Sequence, residues 1–128
     1  MPFRLLRPRG PLSVADLELL RLQPLWGAEM VARIPGLEAV SLIVRHCHER
    51  WDGGGFPDGL AGARIPLASR IIGLADVFSS MTAPQPYGSG LDPAGAERDI
   101  HALAGTAFDR DLTARLAGGV RRTEVRLA

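Results

Sequence analysis

The sequence predicts an all-α protein, a bundle of about five to six helices. Three observations predict it. Apolar residues recur at helical spacing through most of the chain, most runs are opened by a capping residue or proline and most are closed by glycine or proline, and no alternating pattern of any strength occurs before residue 120. Helices that each bury one apolar stripe against the others make a bundle. At 128 residues the chain fits one domain, 1–128, and its 46% hydrophobic and 23% charged content is that of a folding sequence.

The elements follow in order. Residues 1–12, with Pro8, Gly10 and Pro11, form an irregular lead-in. Ser13 then sits where an N-cap belongs, ahead of Leu17, Leu19, Leu20 and Leu22 in a first helix. Pro24 opens a second, carrying Leu25, Trp26, Met30 and Val31 at helical spacing, and Pro35-Gly36 closes it. A third runs from Leu37 through Val40, Ile43 and Val44 to Trp51. The stretch 52–63 holds Gly53, Gly54, Gly55, Gly59, Gly62 and Pro57, a loop whose backbone takes conformations that side chains disfavour. Pro66 fits the first turn of a fourth helix, which is apolar almost all round from Leu67 to Met81 and is expected to be the buried centre of the bundle. Asp92-Pro93 starts a fifth, and Asp109 caps a last helix that ends at Gly118-Gly119. Residues 120–128 are a tail.

Composition excludes several functions. The formal net charge is +1, every one of the 15 basic residues is arginine, and no bulk positive surplus favours nucleic acid or an anionic membrane. The arginines near the two ends, Arg4, Arg7 and Arg9 or Arg121, Arg122 and Arg126, are better explained as solvated charge than as a nucleic-acid surface. Cys47 has no second cysteine to pair with, and no stretch approaches the roughly 20 apolar residues of a membrane span. A cytoplasmic protein without a membrane anchor is the expectation.

Few residues could carry chemistry. Asp76 lies inside the apolar run of the fourth helix, where an unpaired carboxylate costs several kcal/mol. It is read either as a metal ligand or, on the bland side, as the partner of an arginine or an acid at a locally solvated edge. His46, Cys47 and His48 are three metal-capable side chains in a row, yet successive helical residues point about 100° apart, so at most two can face one ion. Asp52 ahead of three glycines is expected to bind backbone N–H groups of its own turn. Ser79, Ser80 and Thr82 have no assignable base and are read as helix-surface or capping hydroxyls. Trp51 beside the loop is read as packing, with base stacking as the rival.

The segment His48-Glu49-Arg50-Trp51-Asp52-Gly53-Gly54-Gly55-Phe56-Pro57-Asp58-Gly59-Leu60 resembles the signature of HD-GYP domains, helical metal-dependent phosphodiesterases of cyclic dinucleotides. The family's Gly-Tyr-Pro reads Gly55-Phe56-Pro57, which keeps the ring without the phenol. Ile65 to Ile72, Ala75-Asp76-Val77-Phe78, Pro86-Tyr87, Ala104-Gly105-Thr106 and Phe108-Asp109 continue the pattern, as do Pro8 to Ser13 and Gln23 to Gly27. The resemblance implies a site that opens cyclic di-GMP with bridged iron or manganese ions.

Carried over residue by residue, it implies metal positions at Cys47, His48 and Asp76, and a substrate or partner loop of Asp52, Gly53, Gly55, Phe56 and Pro57 with Tyr87. The sequence departs from the pattern elsewhere. No counterpart of the N-terminal HD-motif helix precedes these residues, Gln23 stands where the family has a histidine, and Cys47 replaces the first of the paired histidines. Gln85 and Gly88 stand at two arginine positions beside Pro86-Tyr87, and Ser79 at an aspartate position. The leading expectation is therefore a degenerate, non-catalytic module that binds a signalling protein or a cyclic dinucleotide through its loop. The runner-up is a metal-dependent phosphodiesterase completed by an HD-motif segment from upstream or from another chain, in which case an apolar face should lie uncovered.

Overall fold

The computed structural model describes residues 13–84 and 90–116. Among these, five α-helices are α1 (Val14–Arg21), α2 (Gln23–Ala32), α3 (Glu38–Arg45), α4 (Leu67–Thr82) and α5 (Pro93–Ala102). A 3-10 turn spans Gly62–Arg64, and the backbone is helical again over 110–116. No strand occurs among the described residues, where the only sheet-like pairing is an isolated bridge between Ala104 and Phe108. The all-α reading stands.

Local chemistry sets the helix ends. The Ser13 hydroxyl accepts from the Asp16 N–H while the Asp16 carboxylate accepts from the Ser13 N–H, a reciprocal capping box. Pro24 occupies the first turn of α2, and Gly36 supplies the positive φ, 86°, that turns the chain into α3. Asp92 caps α5 by accepting from Gly95 N–H at 2.8 Å, with Pro93 behind it. Asp109 likewise accepts from Asp111 N–H at 2.9 Å at the start of the last helical segment. The expected end of that segment at Gly118-Gly119, the lead-in 1–12, Pro86-Tyr87 and the tail 120–128 lie outside the described residues.

Two expectations need correction. The third helix was expected to reach Trp51 and stops at Arg45. The reason is tertiary: Trp51 N–H donates to Ala107 O at 3.1 Å and Asp52 N–H to Thr106 O at 2.8 Å, so this backbone is bound across the fold instead of along a helix. His46, Cys47 and His48 consequently lie in a turn, and the helical fan that spaces neighbours about 100° apart does not govern them.

The fourth helix is in place but is not the buried centre. Only Ser69 and Leu74 of α4 are buried, whereas Leu67, Ile71 and Ile72 are 55%, 47% and 48% exposed. The core lies instead where α4 meets α5 and the 104–113 segment, in Ile65, Leu74, Ala96, Ile100, Ala107 and Thr113. The most extensive helix pair is α2 with α3, clasped by the Ser41 hydroxyl, which donates to Ala28 O at 2.8 Å.

Candidate functional site

The glycine-rich loop is held by carboxylates. The Glu49 side chain is fully buried, and its two oxygens accept from Asp58 N–H at 2.8 Å and Leu60 N–H at 3.1 Å. One acid thus organises the middle of the loop by satisfying two of its backbone donors. Asp58 is gripped by Arg45 through two bonds of 2.7 and 2.8 Å, and that guanidinium holds its carboxyl below the ordinary value. Asp52 pairs with Arg50 at 2.6 and 3.0 Å and accepts from Gly54 N–H at 2.9 Å. The Arg50 guanidinium and, after it, the Gly54 amide hold the Asp52 carboxyl at about 2. The structural role expected of Asp52 is what the geometry shows, and Glu49 and Arg50, neighbours in sequence, serve different partners.

Gly55 packs against the backbone of Glu49 and Arg50 so closely that a Cβ there would lie 2.3 Å from Arg50 N. Gly53, at φ 81°, turns the chain back on itself beside Ala61. Phe56, the residue in place of the family's tyrosine, follows and joins Pro57 through a cis peptide bond. Its ring stacks on His48 with centroids 5.3 Å apart.

A cleft of about 320 Å³ opens between this loop and α4. Its lining includes Cys47, His48, Trp51, Phe56, Arg70 and Asp109. Arg70 spans the floor: it donates to Asp109 Oδ2 at 2.6 Å and to Ile65 O at 3.0 Å, and its guanidinium lies 5.6 Å from the Trp51 ring centre. Trp51 is therefore half-buried packing for a cation, as its packing reading expected.

The three positions singled out for a metal behave differently from one another. His48 is exposed at the cleft wall, and Cys47 is half-buried with its thiol donating to Val44 O at 3.1 Å. Burial pushes the Cys47 thiol above its ordinary value, and the negative charge of Asp76 adds to the rise. Asp76 is exposed on α4, as its solvated-edge reading expected, and the burial implied by its apolar neighbours is not observed. Among the described residues, the one group of three histidine, cysteine or acidic side chains whose ligand atoms converge within 4.8 Å is another, His46 with Glu49 and Asp58. Three positions whose ligand atoms do not converge do not by themselves fit a bridged pair of ions. Of the loop residues expected to meet a substrate or partner, Asp52, Gly53, Gly55, Phe56 and Pro57 form one continuous surface segment, while Tyr87 lies outside the described residues.

Asp58 and Arg70 escaped the sequence reading. Arg70 is a charge within an apolar run, a signal of the same kind that drew attention to Asp76. For the convergent trio the visible signal was the spacing His46 to Glu49, three residues apart at a helix end. Asp58 carried none, because the fold of the loop brings it there.

Comparison with known proteins gives this geometry a lineage. The profile of the HD domain family matches residues 1–112. The chain belongs to that family, as a domain of HD-GYP type. Among curated relatives it is 33% identical over 124 residues, 94% of this chain, to the protein named cyclic di-GMP phosphodiesterase response regulator RpfG of Xanthomonas campestris. It is 31% identical over 88% of its length to a cyclic di-GMP phosphodiesterase of Thermotoga maritima. The HD-GYP chain spans about a third of each of these, 32% and 31%. A crystal structure of a cyclic GMP-AMP specific phosphodiesterase of Vibrio cholerae superposes with a TM-score of 0.70 at 24% identity, over 93% of this chain and 31% of that one, which establishes the shared fold. Among the described residues, no helix of this HD-GYP domain is long and apolar enough to cross a membrane.

Proposed function

We propose that this chain carries the loop-and-cleft part of a metal-dependent cyclic-dinucleotide phosphodiesterase whose metal centre is completed by an HD-motif segment seated on the exposed face of α4. The observation that carries this reading is the match over 94% of the chain to a protein named for cyclic di-GMP hydrolysis. The apolar side chains of Ile71 and Ile72, roughly half exposed on the helix that also bears Asp76, support the second part, since a face of that kind is what a covering helix would leave behind. Within the cleft, Arg70 and the Trp51 and Phe56 rings would receive a phosphate and a base, and the Glu49-braced loop would keep those rings in place. No reaction step is assigned to the residues of this chain alone, because Cys47, His48 and Asp76 do not close on one ion.

The second reading, a non-catalytic module that uses the loop to bind a signalling protein or a cyclic dinucleotide, is favoured by one observation. Cys47 stands at a ligand position in place of an imidazole, with its half-buried thiol turned to Val44 O at 3.1 Å. One experiment separates the two. The purified chain is assayed for cyclic di-GMP and cyclic GMP-AMP hydrolysis with iron or manganese, alone and co-expressed with the HD-motif helices of a close relative. The enzyme reading expects turnover only in the combined sample, abolished by Asp76→Ala. A combined sample that retains dinucleotide yet never hydrolyses it would establish the binding module instead.

A further inference from the structure

We propose that His46, Glu49 and Asp58 form a binding site for a zinc-class divalent cation that pins the glycine-rich loop to the end of α3, apart from the cleft positions Cys47, His48 and Asp76. The argument begins with an orphan. His46 is only 9% exposed, and its Nδ1 is shut off from solvent with no hydrogen-bond partner among the described residues. Buried polar atoms are nearly always satisfied, so an exception asks for an explanation, and an unseen ion is one of the few available.

Distances favour that explanation. Nδ1 lies 3.7 Å from Glu49 Oε1 and 3.6 Å from Asp58 Oδ2, beyond the roughly 2.7–3.2 Å range of N–H···O hydrogen bonds. Ligands bound at about 2.1 Å around a tetrahedral zinc ion stand about 3.4 Å from one another. The two separations thus resemble edges of a coordination shell more closely than hydrogen bonds. The three ligand atoms all fall within 4.8 Å of one another, so a modest contraction closes the third edge.

The donors also have capacity to spare. Glu49 Oε1 already accepts from Asp58 N–H, and Asp58 Oδ2 from Arg45 Nε, but each oxygen keeps a further lone pair. Two carboxylates face one guanidinium here, which leaves a negative surplus for a cation to neutralise. One imidazole with two carboxylates suits zinc, cobalt or iron and disfavours magnesium or calcium, which take oxygen shells. Asp58 is exposed at the rim, so the ion has an approach path and room for a water as its fourth ligand. Bound there, it would tie residues 46, 49 and 58 together and stiffen the base of the loop whether or not the cleft turns over a dinucleotide.

The test uses the tag-free 128-residue chain titrated with zinc by calorimetry and with cobalt by absorption. About one equivalent is expected, with no thiolate-to-cobalt charge-transfer band and with a rise in melting temperature on zinc addition. Changing a group that merely supports a ligand costs about 10–100-fold in affinity, so losing a ligand in His46→Gln or Asp58→Asn should weaken binding at least tenfold. The double variant Cys47→Ser with Asp76→Asn should bind as the parent does. Circular dichroism checks that each variant folds. Should His46→Gln fail to fold, Asp58→Asn, altered at the exposed rim, decides the matter. The proposal is overturned if the parent binds no metal, if binding survives both His46→Gln and Asp58→Asn, or if Cys47→Ser with Asp76→Asn abolishes it.

Discussion

The two faces of α4 reverse the usual arrangement of a helix in a bundle. Its seated face buries Leu74 but is anchored by polar contacts: the Ser69 hydroxyl donates to Ile43 O at 3.0 Å, Arg70 reaches Asp109 and Ile65 O, and Gly73 lies so close to Cys47 that a Cβ would stand 2.6 Å from its carbonyl oxygen. Its open face carries Leu67, Ile71 and Ile72. A helix that makes hydrogen bonds inward and shows isoleucines outward leaves apolar surface in water, the environment that suits such a stripe least. The contrast teaches that the inner face is fixed by specific bonds and close backbone approach, while the outer one carries apolar side chains that none of the described residues buries.

The sharpest way to break this contrast is Arg70→Ala. It leaves the Asp109 carboxylate, whose side chain is 10% exposed, without its charge partner, and a loss of about 3 kcal/mol is expected in urea unfolding. A loss under about 0.5 kcal/mol would mean that the polar anchor does not hold the helix. Next is Gly73→Ala. Its new methyl meets the Cys47 carbonyl, backbone that cannot swing aside, so α4 must shift away from the 46–48 turn at a cost of about 2 kcal/mol.

A smaller effect should come from Cys47 itself. Its folded thiol is raised above the ordinary thiol value by burial, so the stability this contributes is fully present below that value and is lost as pH rises through the folded one. Iodoacetamide at pH 9 should accordingly label the native chain more slowly than the urea-unfolded chain, and equal rates would contradict the burial. Smallest for stability is the pair Ile71→Gln with Ile72→Gln, each near half exposed, for which a change within about 0.5 kcal/mol is expected. If instead it unfolds the chain, the outer face is already covered and the contrast is false.

Much of the local structure was legible because its polar contacts are local in sequence. The Ser13 and Asp92 caps, the turn at Asp52 and the surface hydroxyl of Thr82, which donates to Phe78 O, each involve partners within four residues. The capping and turn rules apply at that range. The bracing of the loop by Glu49 spans nine and eleven residues, and the Arg70 pair spans 39, distances over which no spacing rule operates. Asp76 shows the opposite failure. Its apolar neighbours in sequence implied burial, but burial depends on what packs against the helix, and nothing described here covers that face.

The sequence by itself determined the helical class, most helix starts, the glycine-rich loop and membership of the HD-GYP lineage, because periodicity, capping and a 13-residue signature are properties of neighbouring residues. Tertiary structure alone decided that α3 ends at Arg45, that α4 turns its isoleucines outward, and that His46 rather than Cys47 or His48 meets Glu49 and Asp58. Those outcomes depend on which distant backbone groups and side chains compete for the same hydrogen bonds and the same buried space, and that competition takes place only once the chain has folded.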